Sequence, residues 1–206
     1  MPDAPAYRRL VVDERRAQLV ALGERLFTSH AYGELSMARI AREAGISKAL
    51  LNHYFPSKQA YFEATLQAAA EQLAADTEPD PALPPAEQLQ RSLDVYLAWV
   101  EEHADAYNRL MVTAGEVPEV RAAVEEVRGR TAGRILAGAL GQGTPVPPGA
   151  RAAVRGWLWF MDGACLDWIA HRDLSRDELR GLLTGTLAGA LMASGSGDLV
   201  PALTAA

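Results

Sequence analysis

Lys48 and Lys58 are the only lysines in the 206-residue chain, and each follows a serine, giving Ser47-Lys48 and Ser57-Lys58. A serine at the start of a helix accepts hydrogen bonds from backbone N–H groups that have no partner, the helix start attracts anions, and an adjacent ammonium completes a phosphate clamp. Ser36 opens a further helical pattern in the same stretch. The chemistry on offer is phosphate binding. Signs of catalysis are thin: the chain holds no G-x-S-x-G elbow, no G-x-G-x-x-G after a strand, no P-loop and no H-E-x-x-H. Glu101, Glu102, His103 and Asp105 have metal-ligand residue types, but neighbours on a helix point in different directions, so a solvated face is expected there. His171-Arg-Asp173 matches a kinase catalytic loop in letters alone. No catalytic residue, metal or cofactor is expected.

Composition says what must position these residues. Ala and Leu total 64 residues against 26 for Val, Ile and Thr, so propensity favours helix over strand and an all-α fold is expected. A hydrophobic fraction of 49% supplies a core and excludes a disordered tail protein. The net charge of −6 argues against nucleic acid until it is divided along the chain. Residues 1–60 carry nine basic and six acidic groups, a net of +3, and the remainder carries −9. Such asymmetry suggests two parts, the first with an anionic partner. The single cysteine, Cys165, cannot form an internal disulfide, no signal-peptide run opens the sequence, and no apolar stretch is long enough to span a bilayer. A cytoplasmic protein without a membrane partner is expected.

Periodicity and breakers predict helices over 13–30, 36–44, 47–54 and 58–76, then 86–103, 104–115, 118–140, 150–171 and 176–193. Ala17, Val20, Ala21, Leu26 and Phe27 give the first of these its apolar face. Four prolines between Pro79 and Pro85 make the strongest break, and Gly141 to Gly149 forms a second long loop. Between Met37 and Tyr54 the pattern meets the needs of a helix-turn-helix. Gly45 tolerates positive φ in the turn, Ala41 is small where two backbones approach, and Ile40, Ala44, Ile46, Leu51 and Tyr54 are apolar or aromatic where contacts are needed.

With those residues in view, the chain resembles the TetR/AcrR family of bacterial transcriptional regulators. The likeness is carried by Leu35-Ser-Met-Ala-Arg-Ile-Ala-Arg-Glu-Ala-Gly-Ile-Ser-Lys48, by Leu51 and by His53-Tyr-Phe-Pro-Ser-Lys58, over roughly residues 10–65. The resemblance implies a three-helix DNA-binding domain, a larger helical ligand-binding domain and a homodimer built from the last two helices. Domain bounds of 1–58 and 59–206 follow. The helix opening at Ser47 is expected in the major groove, with Lys48, Ala49, Leu50, Asn52 and His53 outward, and Ser36, Arg39, Ser47 and Lys58 complete the expected DNA contacts. The family usually has Gly-Thr at the place of Ala49-Leu50, and a phosphate-holding Tyr at the place of Asn52. Asn52 can instead pair with the N6/N7 edge of adenine, and Ala49 and Leu50 suit thymine methyl groups.

In the C-terminal part, the helix around residues 151–170 is apolar nearly all round and needs cover on most sides. Gly181, Gly185, Gly189 and Ala193 form a smooth stripe on the last helix, with Leu179, Leu182, Leu183, Thr186, Leu187 and Leu191 on its other side. Pairing of these two helices with those of a second copy gives a four-helix interface; an internal core is the alternative. Trp99, Tyr107, Met111 and Trp159 are residue types that line an apolar pocket, although core packing explains any one of them. Asp162, amid Trp-Leu-Trp-Phe-Met and Gly-Ala-Cys-Leu, is costly unless paired with a cation or hydrogen bonds, which Arg155, Arg109 or a cationic ligand could supply. The expectation is a ligand-responsive regulator, a repressor, that binds a palindromic double-stranded DNA operator as a homodimer and is released by a small hydrophobic effector. The alternative is a helical small-molecule-binding protein or enzyme that keeps the N-terminal hairpin only as scaffold.

Overall fold

A computed structural model describes residues 4–78, 80, 82–141 and 143–201, with side chains from Asp13 onward except that of Pro85. Pro79 and Pro81 of the proline-rich break and Gln142 of the second loop lie outside the described residues, as do the side chains of Arg8 and Arg9. Among the described residues every regular element is helical: α1 Ala4–Ser29, α2 Met37–Glu43, α3 Lys48–Tyr54, α4 Lys58–Asp76, α5 Pro85–Glu102, α6 Ala104–Glu116, α7 Pro118–Leu140, α8 Pro148–His171 and α9 Arg176–Ala193, with short 3-10 turns at Tyr32–Glu34 and Gly197–Leu199. No helix among them is long and apolar enough to cross a membrane.

The helix bounds match expectation closely, with two extensions of physical interest. α1 begins nine residues before Asp13, and α8 begins at Pro148 instead of residue 150. Pro5 and Pro148 stand in first turns, where a missing N–H removes no helical bond.

The chain divides into two compact units, one formed by the chain up to Glu71 with Val112–Val124, the other by Gln72–Met111 with Glu125 onward. In the first, the core is built around Leu19, Leu35, Ile40, Leu51, Phe55 and Tyr61. The face of α1 that it uses holds Leu19, Val20 and Leu26, while Ala17 and Ala21 are exposed, a correction to the predicted apolar face. Gly23 permits this packing, because a Cβ there would lie 2.3 Å from Thr65 Oγ1 on α4. Tyr61 Oη donates to the Leu19 carbonyl at 2.6 Å and ties the same two helices.

In the second unit, α8 and α9 pack on each other and on α5 around Leu97, Val154, Trp157, Cys165, Leu183 and Leu187. Trp157 Nε1 donates to the Leu183 carbonyl at 2.8 Å, and Arg180 pairs with Asp94 at 2.5 Å across α5 and α9. α8 is less covered than its composition suggests. Trp159 is 54% and Phe160 38% exposed, and Gly156 and Gly163 open on the same side. On α9, Leu179, Leu183, Leu187 and Leu191 are buried at four-residue spacing, but Leu182 is 47% exposed and joins Gly181, Gly185, Gly189 and Met192 on the outer face. The expectation that Leu182 lies on the side opposite the glycines is corrected: the buried stripe takes every fourth leucine, and position 182 falls outside it, beside Gly181.

Candidate nucleic-acid interface and buried polar cluster

The helix-turn-helix is built from local rules. Ser36 Oγ accepts from the Arg39 N–H at 3.2 Å and starts α2, and Ser47 Oγ accepts from the Leu50 N–H at 3.1 Å and starts α3. Between them Gly45 takes φ +66°, and the Ile46 N–H returns to the Ala41 carbonyl at 3.0 Å. Ile40 and Leu51 are wholly buried, while Ala44, Ile46 and Tyr54 pack partly buried around them. This seating leaves Lys48, Ala49, Leu50, Asn52 and His53 exposed on α3.

Two expected DNA contacts are engaged within the protein. Lys58 Nζ donates to the Tyr32 carbonyl at 3.0 Å and lies 4.0 Å from the centre of the Tyr32 ring, which is packed edge-on to Phe62. An ammonium has three N–H groups, so two remain for other acceptors. Arg39 reaches the Glu34 carbonyl at 3.4 Å and His30 Nε2 at 2.7 Å. A guanidinium can only donate, so His30 Nε2 accepts and its Nδ1–H donates to the Leu26 carbonyl at 3.1 Å. Ser57 Oγ caps α4 by accepting from the Ala60 N–H at 3.0 Å.

In the second unit, a polar cluster joins four helices inside an apolar core. Asp162 on α8 is 8% exposed. Its Oδ1 accepts from Tyr107 Oη on α6 at 2.7 Å, and its Oδ2 accepts from Arg128 Nε on α7 at 2.7 Å and from Arg128 Nη2 at 2.5 Å. Because the Tyr107 proton goes to Asp162, the 3.1 Å contact between Tyr107 and Tyr96 on α5 is a bond donated by Tyr96. Arg128 also pairs with Glu125, touches Met111 Sδ at 3.9 Å and lies 3.9 Å from the centre of the Trp159 ring. Trp99 meets Tyr107 edge-on, with centroids 6.5 Å apart.

Trp99, Tyr107, Met111, Trp159 and Asp162, singled out as ligand candidates, thus converge on one cluster. Arg155, expected at Asp162, lies one link further out, 3.7 Å from Glu125. Arg128 takes that place, and sequence reasoning missed it because a Glu-x-x-Arg pair on a helix looks like any surface pair until the fold turns it inward. Among the described residues no group of three or more His, Cys, Asp or Glu is arranged to hold a metal ion.

Burial, reinforced by Tyr96 and Asp162, raises the Tyr107 hydroxyl far above its usual range. Tyr96 is raised in the same way by burial, Cys165 and Asp162, and burial followed by Asp162 pushes the Cys165 thiol up to about 12. Burial acts to lower the Arg128 pKa, but Asp162 and Glu125 outweigh it and the net shift is upward. For an acid whose native pKa is raised, the unfolded chain loses its proton first, so native stability falls as pH rises through the unfolded value. The unfolding free energy, measured by urea titration between pH 8 and 11, is expected to fall from about pH 9 upward, by as much as about 1.4 kcal/mol per pH unit for each such group above its own unfolded value. A flat profile would show that these hydroxyls and the thiol ionise freely in the native state.

Residues 19–65 match the family model described as bacterial regulatory proteins, tetR family, and residues 85–189 match a tetracyclin repressor-like C-terminal domain. The chain belongs to the TetR family of bacterial regulators. A solved TetR-family transcriptional regulator from Streptomyces coelicolor is 31% identical, with a TM-score of 0.72 over 91% of this chain and 87% of that one. A putative transcriptional regulator from Saccharomonospora viridis, solved in complex with choline, shares the fold at 19% identity, with a TM-score of 0.60 over 84% of this chain and 95% of that one. Among curated proteins, the nucleoid occlusion factor SlmA of Haemophilus influenzae is 38% identical over 66 residues, 32% of this chain and 30% of that protein. The match thus spans less than a third of that relative. As a TetR-family member the protein is a DNA-binding transcriptional regulator with an N-terminal helix-turn-helix and a larger helical C-terminal part.

Proposed function

We propose that this regulator is a repressor that binds a palindromic operator as a homodimer and leaves it when a small, largely apolar effector occupies the C-terminal part. Residues 1–58 carry the DNA-reading helices and 59–206 the effector and subunit functions. The reading rests on the exposed row Lys48, Ala49, Leu50, Asn52 and His53, held on a helix whose opposite side is fixed by Leu51. A two-fold dimer presents two such helices to major grooves one helical turn apart, about 34–36 Å. The outer faces of α8 and α9, with Trp159, Phe160, Leu182 and Met192 exposed around open glycines, offer the apolar surface that a second copy would cover. Helix α4 leads directly from the residues next to α3 into the second unit, so an effector that favours one position of its far end changes the spacing of the reading heads.

DNA fragments recovered from genome-wide binding supply the operator, and fluorescence anisotropy against it and its single-base variants supplies the test. Lys58→Ala is expected to weaken binding to all sequences alike and to reduce the salt dependence by about one phosphate. Asn52→Ala is expected to lose about 1–3 kcal/mol at operators carrying its adenine and little at those lacking it. A uniform loss for Asn52→Ala would remove it from base reading, and salt-independent binding would overturn DNA recognition by this surface.

A further inference from the structure

Among the described residues Asp162 is the one acidic side chain that is buried, and its two partners differ in how readily they can be exchanged. Oδ1 is held by the neutral Tyr107 hydroxyl and Oδ2 by Arg128. An anionic molecule that took Arg128 away would leave a buried carboxylate with a single hydrogen bond, which is costly. A cation that took Asp162 would leave no charge stranded. Arg128 keeps Glu125, whose side chain is 30% exposed and which also lies near Arg155, while Asp162 keeps Tyr107 and gains the newcomer. Aromatic and soft apolar residues adjoin the pair: Tyr96 is hydrogen-bonded to Tyr107, Trp99 meets Tyr107 edge-on and Met111 touches Arg128, residue types that favour an organic cation.

We propose that Asp162 is the recognition point for an organic cation, a small molecule with an apolar body and one ammonium group, which displaces Arg128 from the carboxylate. The proposal rests on the reading of the protein as effector-responsive and names the effector's class. It also supplies a consequence at the surface. The Arg128 guanidinium lies on the indole of Trp159, which is half exposed on the outer face of α8, so displacement of Arg128 alters the support of a side chain on the face proposed for the second subunit.

The test uses the full chain with benzyltrimethylammonium as probe and benzoate and benzyl alcohol as anionic and neutral controls, followed by calorimetry, thermal unfolding and tryptophan fluorescence. The cation alone is expected to bind, to raise the unfolding midpoint and to change a fluorescence signal that Trp159→Phe removes. Arg128→Met takes away the competitor, so the destabilised variant is expected to bind the cation about tenfold more tightly than the wild type and to be rescued by it more strongly. Adding Asp162→Asn to that variant is expected to abolish the rescue. A purely structural pair would instead give a destabilised Arg128→Met that no cation rescues in preference to benzoate. That result, equal binding of the three probes, or rescue that survives Asp162→Asn would overturn the proposal. Operator release is measured alongside. Cation bound at Asp162 with operator affinity unchanged refutes the effector-responsive reading and leaves the site standing, whereas release by benzyl alcohol or benzoate without cation binding refutes the site alone.

Discussion

Arg128→Met is expected to destabilise the C-terminal unit by about 3–5 kcal/mol, and Asp162→Asn by less, because the two halves of the pair leave different things behind. Each side chain is only 12% exposed. Without Arg128 the Asp162 carboxylate retains the Tyr107 hydroxyl alone, whereas without the Asp162 charge Arg128 retains Glu125. The double variant Arg128→Met/Asp162→Leu is expected to recover most of the loss, since no buried charge remains. What persists is the Tyr107 hydroxyl without its acceptor, about 1–3 kcal/mol. Urea unfolding followed by tryptophan fluorescence measures this directly, because all four tryptophans, Trp99, Trp157, Trp159 and Trp168, belong to the second unit. A loss in the double variant equal to the sum of the Arg128→Met and single Asp162→Leu losses would mean that the two side chains are not coupled.

Leu51→Ala is expected to abolish operator binding while leaving the tryptophan signal of the second unit in place. Helix α3 has seven residues, too few to be helical alone, so its existence depends on the Ser47 cap and on burial of its inner side. Leu51 is wholly buried in a core with Ile40, Phe55 and Tyr61, and truncation there costs about 2–5 kcal/mol, enough to release the helix that presents Lys48 and Asn52. Leu50→Ala, one residue away and 40% exposed, is the control and is expected to change stability by no more than about 0.5 kcal/mol. Circular dichroism and anisotropy on the two variants separate loss of the helix from loss of a contact. Equal loss of helicity and stability in the two would show that α3 is not held from its inner side.

Much of the reading head is legible in the sequence because its rules are local. A serine at each helix start, Gly45 at the turn and apolar residues at fixed spacing define α2 and α3 within a few bonds of one another, and the structure uses Ser36, Ser47 and Gly45 as those rules require. Lys58 was legible as a cation at a helix start, but its bond to the Tyr32 carbonyl, 26 positions earlier, was not. The same holds for Arg39, whose partner His30 sits at the end of another helix. Both contacts depend on how α1 returns past α2 and α4, which no local pattern encodes.

The sequence by itself determined that this chain is helical, where most of its helices start and stop, and that its first sixty residues carry the cations and serine caps of a helix-turn-helix, because propensity, capping and periodicity act over a few residues. It also marked Asp162 as a charge in need of a partner. Only the tertiary structure decided which partner: Arg128 on α7 and Tyr107 on α6, 34 and 55 positions away. It likewise decided that Leu182 faces outward with the glycines of α9 while Leu183 faces in. Partner choice and facing are settled by the packing of whole helices, where one buried charge excludes every arrangement that leaves it unpaired.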